Sequence, residues 1–195
     1  MRLLSMDSTV RHLLFLSAIT AGVLTPVFTP CYGQLRFPFP PNDNCPVKVA
    51  GETAAFDLQH DKDTDGGGSL FCRLGITASQ ADRAISNLKM AVAAPSSPSV
   101  TKILRFPVEI VVYDGNRKNS TVMLHTKAEW VEFVRDRLNS RQKKAIGGAK
   151  LSDMMIVDSK GAGPGFILGD GLVFFSTRNP HHIVVWHLNT EVLAD

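Results

Sequence analysis

Apolar residues recur at helical spacing at Ala81, Ala84, Ile85, Leu88 and Val92, which predicts a helix over residues 77–94. Pro95 ends it, because proline has no N–H to offer the helical ladder. Residues 96–99 read as a turn and 100–105 as one short helical turn. The run 106–113 is β-branched and apolar and predicts a strand; Asp114-Gly115-Asn116 is a turn signal, and 121–125 return as a second strand. Thr126 followed by Glu129 has the form of a capping box, and the helix after it places Trp130, Phe133, Val134 and Leu138 on one face until Gly147-Gly148 stops it. Three strand-like runs, 154–157, 165–175 and 183–188, finish the chain, with turns at 160–164 and 178–180. Helix, strand pair, helix and then antiparallel strands predict an α+β fold, with helices packed on one face of a curved antiparallel sheet.

The pattern is less decisive upstream. Residues 47–58 fit a short strand or a helix, 60–69 form an Asp/Gly loop, and 34–44, with Phe37-Pro38-Phe39-Pro40-Pro41, read as an extended arm. At the start, Arg11 and His12 precede an apolar run, 13–28, that is short for a membrane span and carries Pro26 near its end. A basic start, an apolar middle and small residues near the exit are the parts of a secretory signal, with cleavage after Gly33 and the small residues Cys31 and Gly33 at the positions a signal peptidase reads. Either Met1 or Met6 fits as the start, Met6 with a shorter basic head. Two alternatives stay open: a lipid on Cys31, although Phe28-Thr29-Pro30-Cys31 lacks the Leu and small residues of a bacterial lipobox, and an uncleaved anchor. The expected organisation is a signal peptide over 1–33, an arm and disulfide-closed loop over 34–75 and an α+β domain over 76–195. The expected destination is the periplasm or the medium, with no stable membrane anchor.

Composition narrows the function classes. Hydrophobic residues at 44% and charged residues at 20% suit a folded globular chain. The formal net charge is +3, and Arg2 and Arg11 against Asp7 leave about +2 after residue 33, too little for a nucleic-acid footprint. The densest basic run, 135–144, reads as a solvated helix face. Once Cys31 leaves with the signal, Cys45 and Cys72 remain, an even number in an exported chain, and one disulfide is the natural reading. It closes a loop of about 27 residues, worth about 3.5 kcal/mol on the chain-entropy model. Two lone cysteines make no metal site, and without Cys-x-x-Cys redox catalysis is not expected.

Four segments carry a resemblance: Leu88-Lys89-Met90-Ala91-Val92, Ile103-Leu104-Arg105-Phe106-Pro107-Val108, Glu129-Trp130-Val131-Glu132-Phe133 and Gly169-Asp170-Gly171-Leu172-Val173-Phe174-Phe175. Together they resemble a group of exported bacterial proteins similar to the nuclear-transport-factor-two-like, or cystatin-like, α+β cone. The resemblance spans about residues 76–189 and implies a sheet wrapped around a cone-like pocket. It implies no catalytic residue, and such cones host enzymes, binding modules and accessory subunits alike.

Candidate chemistry is sparse. In Asp61-Lys62-Asp63-Thr64-Asp65-Gly66, alternating carboxylates before a Gly bend suit calcium, with Asp61, Asp63 and Asp65 as ligands. Gly68 and Cys72 stand where an EF-hand needs an apolar residue and a Glu, so only an irregular calcium loop is left, beside the plainer reading of a solvated acidic loop. Calcium is the one cofactor the sequence leaves open. His181, His182 and His187 are the densest histidine group, but strand alternation puts His187 with Ile183 and Val185, opposite Trp186, and His181 and His182 point apart on a turn. The cone reading assigns Trp186, His187 and Phe174 to its pocket, against the alternative that His187 is a satisfied sheet residue. Acid–base candidates are His187, Asp158 and His125; Asp170, between two glycines, suits a turn. Gly161-x-Gly163-x-Gly165 lacks the setting of a phosphate loop, and neither Gly-x-Ser-x-Gly nor His-Glu-x-x-His occurs. Asn119-Ser120-Thr121 is a glycosylation sequon with meaning only in a eukaryotic secretory route. The expectation is an exported, non-catalytic binding, inhibitor or accessory protein using a cone pocket or sheet face. Its partner would be a small ligand, an exported protein or a second copy, and not nucleic acid. The alternatives are a small hydrolase or isomerase with a pocket His and carboxylate, and a calcium-stabilised secreted module.

Overall fold

The computed structural model describes residues 49–113, 119–159, 163–179 and 181–190, all within the second of two units, 1–33 and 34–195, into which the chain divides. The expected signal segment, the arm at 34–44, Cys31, Cys45 and the turn residues 114–118 and 160–162 lie outside the described residues.

Among the described residues, six α-helices and six strands form an α+β fold: α1 (Ala54–His60), α2 (Leu70–Leu74), α3 (Ala78–Ala93), α4 (Ser99–Ile103), β1 (Leu104–Tyr113), β2 (Asn119–Leu124), α5 (Lys127–Asp136), α6 (Ser140–Gly148), β3 (Met155–Ser159), β4 (Gly163–Leu168), β5 (Val173–Ser176) and β6 (Val184–Asn189). Helix α3 starts where Thr77 and Gln80 form a reciprocal capping box, which satisfies two of the N–H groups a helix start leaves open. Its stripe of Ala81, Ala84, Ile85, Leu88 and Ala91 is buried.

The strand order is β2-β1-β6-β5-β4-β3. β1 and β2 form an antiparallel hairpin and β3 to β6 an antiparallel meander, but β6 lies parallel to β1. The sheet is therefore mixed, which corrects the expectation of a wholly antiparallel one. A parallel pair needs a long crossover, and α5, α6 and the rest of the meander supply it.

One continuous core lies between the helices and one sheet face. It joins Leu88, Trp130 and Phe133 to Ile110, Phe166, Phe175 and Leu188. Phe166 and Phe175 stack with centroids 4.5 Å apart, and the buried Trp130 indole N–H donates to the Ala91 carbonyl at 3.1 Å, tying α5 to the end of α3. Among the described residues, the opposite face carries a small cluster of Val157 and Phe174 with Ile167 against it.

Three local features depart from the sequence pattern. Helix α1 begins within the undecided stretch 47–58 and runs on to His60, the first residue of the expected Asp/Gly loop. The single helix expected after Thr126 is two, because α5 stops at Arg137 and Asn139 opens α6 with its own capping box to Gln142. Gln142 is buried, and its side-chain amide also donates to the Thr190 carbonyl at 2.8 Å, so α6 holds the end of β6. The run 165–175 is a hairpin: Gly169, Asp170 and Gly171 all have positive φ (60°, 56° and 103°), and the chain reverses there.

Candidate functional site

Two bulges define a concavity in the sheet. Along β6, Val185 pairs with Phe175 and His187 with Phe174, so Trp186 is an extra residue with no partner in β5. Along β1, Leu104 pairs with Val185 but the next partner of β6 is Glu109, opposite His187. Five steps of β1 thus span two steps of β6, and the pairing of β1 with β2 begins only at Val108. Residues 105–107 therefore have no cross-strand partner in either register. Bulges of this kind re-aim side chains and open a sheet locally.

A cavity of about 340 Å³ lies at this opening. The bulged segment contributes Arg105, Phe106 and Pro107, and β6 contributes Val184, Val185 and Trp186. Val184 and Val185 are buried, while Trp186 is 46% exposed and Met123, from β2, 39%. Ser176 and the turn residues Arg178, Asn179 and His182 complete one side, and Glu109 lies on the other. The turn is held by the Thr177 N–H and hydroxyl, both donating to the Pro164 carbonyl at 2.9 and 3.0 Å. The His181 N–H donates to the Asn179 side-chain oxygen at 3.1 Å. Arg178 runs beside Gly163, where a Cβ would stand 3.5 Å from its Nε. The result is an apolar base with a rim of guanidinium, amide and indole groups.

Beside the cavity, the register strings Met123, Glu109, His187, Phe174, Ile167 and Met155 in one row across the sheet. Directly opposed residues share a face, and this is the face away from the helices. His187 Nδ1 and Glu109 Oε1 are 3.2 Å apart. The bulge at Trp186 reverses the expected alternation: Val185 points into the core, and His187 points out with Phe174. Of the three residues assigned to a pocket by the cone reading, Trp186 lines the cavity, while His187 and Phe174 lie in the neighbouring row. The helix-facing side, where a cone would open, is filled at its centre by Trp130, Phe166 and Phe175, each below 2% exposed.

The other sequence candidates are dispersed. His125 follows edge strand β2, and its backbone N–H donates to the Glu129 carboxylate at 2.7 Å. Asp158 lies on β3, the opposite edge, facing Pro164. Asp170 occupies the left-handed turn between β4 and β5. The three loop aspartates diverge. Asp61 is buried and accepts from the Phe71 N–H at 2.9 Å, where α2 begins. Asp63 pairs with His60. The backbone N–H of Asp65 donates to the Met154 carbonyl at 2.7 Å, joining the loop to β3. Among the described residues, no three His, Cys, Asp or Glu side chains converge as metal ligands. In the basic run, Arg135 forks onto its neighbour Asp136 with two contacts of 2.7 Å, and this pairing raises the guanidinium pKa and lowers that of the carboxyl.

The polar residue that sequence reasoning missed is Asp57. It is 2% exposed. It accepts from the Ser79 backbone N–H at 2.6 Å and from the Thr53 hydroxyl at 2.9 Å. Burial pushes its pKa up, but the Ser79 N–H together with the Ser79, Thr53 and Thr77 side chains outweighs it, and the carboxyl sits below its ordinary value. The carboxylate fastens α1 to the positive end of α3. A carboxylate followed some twenty residues on by a capping box was the only signal available, and it is too common to single out.

Cys72 sits on α2, and Cys45, its expected disulfide partner, lies outside the described residues. Among the described residues no helix is long and apolar enough to cross a membrane. Comparison with protein-family models, curated proteins and solved structures finds no match to this chain.

Proposed function

We propose that this is an exported, non-catalytic binding protein whose ligand site is the cavity between β1 and β6. The observation that carries the reading is the double bulge. It interrupts the sheet, leaves an indole and a thioether exposed over an apolar base, and surrounds them with hydrogen-bond donors. A regular sheet has no need to leave Trp186 and Met123 in water, and a pocket of mixed apolar wall and few polar groups is the usual form of a small-molecule site. Helices on one face of a mixed sheet are consistent with the resemblance to the cone superfamily, with the working concavity on the open side of the sheet. Export follows from the N-terminal sequence pattern, and we assign Cys45 as the partner of Cys72, since Cys31 leaves with the signal.

Thermal unfolding of the purified protein against a panel of small amphiphiles tests this. A ligand at a hundred times its Kd adds about 2.7 kcal/mol, a shift of several degrees for a domain of this size. The shift should vanish in Trp186→Ala. A panel without a single shift, or a shift that Trp186→Ala leaves intact, would sink the reading.

A second reading rests on the His187–Glu109 pair. A histidine held by a carboxylate beside a cavity is the minimal part of an acid–base site, and Glu109 reaches both. It makes the chain a small hydrolase or isomerase, with His187→Gln abolishing turnover while ligand affinity is kept. Full turnover in that variant would remove it. The Asp61–Asp65 loop fits a structural turn, and a melting temperature raised by calcium and lowered by chelator would favour the calcium-stabilised alternative.

A further inference from the structure

We infer that the cavity selects a small amphiphilic carboxylate, its apolar body on the Trp186, Met123 and Val184 side and its carboxylate on Arg105; the inference rests on the binding reading above. The charges lining the cavity are unequal. Arg105 and Arg178 stand on its rim, while Glu109, the one acidic residue among the described residues that line it, faces His187 at 3.2 Å. Arg105 makes no salt bridge to any described residue. It belongs to the stretch 105–107 that neither neighbouring strand pairs, so its guanidinium is presented by a segment released from the ladder.

A guanidinium offers a planar fork of donors that matches a carboxylate in a bidentate pair, and such charge-assisted bonds are the stronger ones. Beside it, the indole of Trp186 and the side chains of Met123, Phe106 and Val184 offer surface to an apolar body and almost nothing to a strongly hydrated polyanion. Glu109 adds a repulsive element against a second negative charge. The volume, about 340 Å³, is at the small end of ligand sites, which run from about 300 to 1,000 Å³, and suits a single compact molecule. An acyl chain and an aromatic ring both satisfy this chemistry, so the acid is named by class, and the probes separate the two sources.

Isothermal titration of the full protein with octanoate and 3-phenylpropionate, each beside its primary amide, tests the inference. At least one acid should bind tenfold or more tighter than its amide. Arg105→Gln should bring the pair within threefold without weakening the amide, and Arg105→Lys should keep part of the preference. Because Arg105 is exposed, the melting temperature of the free variants should be unchanged. Equal binding of acid and amide, or a preference that survives Arg105→Gln, overturns the anion assignment and leaves the cavity as the ligand site. Failure of all four probes also overturns it, and the binding reading itself falls with it if the wider melt panel is equally silent. An acyl-selective result names a fatty-acid-like ligand, and a phenyl-selective result an aromatic acid.

Discussion

Replacing Asp57 by Asn tests how the N-terminal helices are attached. The substitution keeps size and shape but removes the charge that accepts from the Ser79 N–H at 2.6 Å and the Thr53 hydroxyl at 2.9 Å. Hydrogen bonds to a charged group contribute about 1.5–3 kcal/mol each, against about 0.5–1.5 for neutral ones. A carboxylate at a helix N-terminus adds about 0.3–1 kcal/mol. Two weakened bonds and the lost charge come to about 2–4 kcal/mol. With a urea slope of about 1–3 kcal/mol per molar, the midpoint should fall by about 1–2 M. The pH dependence has a fixed sign. The folded-state pKa of Asp57 is below its ordinary value of 3.8, so its contribution is fully present above that value and is lost as pH falls through the folded-state pKa. The gap between wild type and Asp57→Asn should be constant from neutral pH down to about pH 4 and close below it. Helix α1 has seven residues, too few to persist alone, so its amides should exchange first in the variant. A midpoint change below about 0.3 M, or a gap that widens as pH falls below about 4, refutes the reasoning.

Gly165→Ala should be among the most destabilising single changes, by about 3 kcal/mol or more. Its Cβ would stand 2.0 Å from the Phe175 carbonyl oxygen and 2.8 Å from the Phe174 ring, and a melting curve close to wild type would contradict that geometry. Gln142→Ala leaves the Thr190 carbonyl without its donor and breaks the α6 capping box, and should cost about 1–3 kcal/mol in urea unfolding. Peptide mapping under non-reducing conditions should recover Cys45 joined to Cys72, and reduction should lower stability by about 3 kcal/mol; recovery of Cys72 joined to another thiol would overturn the pairing.

How much of this was legible in the sequence depended on whether the signal was local. Helix α3 was, because Pro95 closes a stripe of apolar residues at helical spacing. Strands β1 and β6 were, because runs of Val and Ile resist a helix reading. The break between α5 and α6 was not, since Leu138 continues the apolar face and only the capping role of Asn139 betrays a new start. The parallel pairing of β6 with β1 joins residues some eighty positions apart, and no local pattern carries it. The candidate site suffered most. Strand alternation put His187 on the Val185 side, and one extra residue at Trp186 reversed it. Trp186 itself was named as a binding residue, but Arg105, Glu109 and Met123 reach the same cavity only because β1 departs from β6.

Under the proposed function, ligand enters the cavity between β1 and β6. The two indole N–H groups of the chain report on it directly in a nitrogen–proton correlation spectrum. Trp186 is exposed at the cavity, and Trp130 is buried in the helix-covered core. On titration with the compound that raises the melting temperature most, the Trp186 indole peak should move in proportion to occupancy, with the backbone amides of Arg105 and Phe106, while the Trp130 peak stays in place. Movement of Trp130 with a stationary Trp186 would place the ligand in the helix-covered interior and contradict the account.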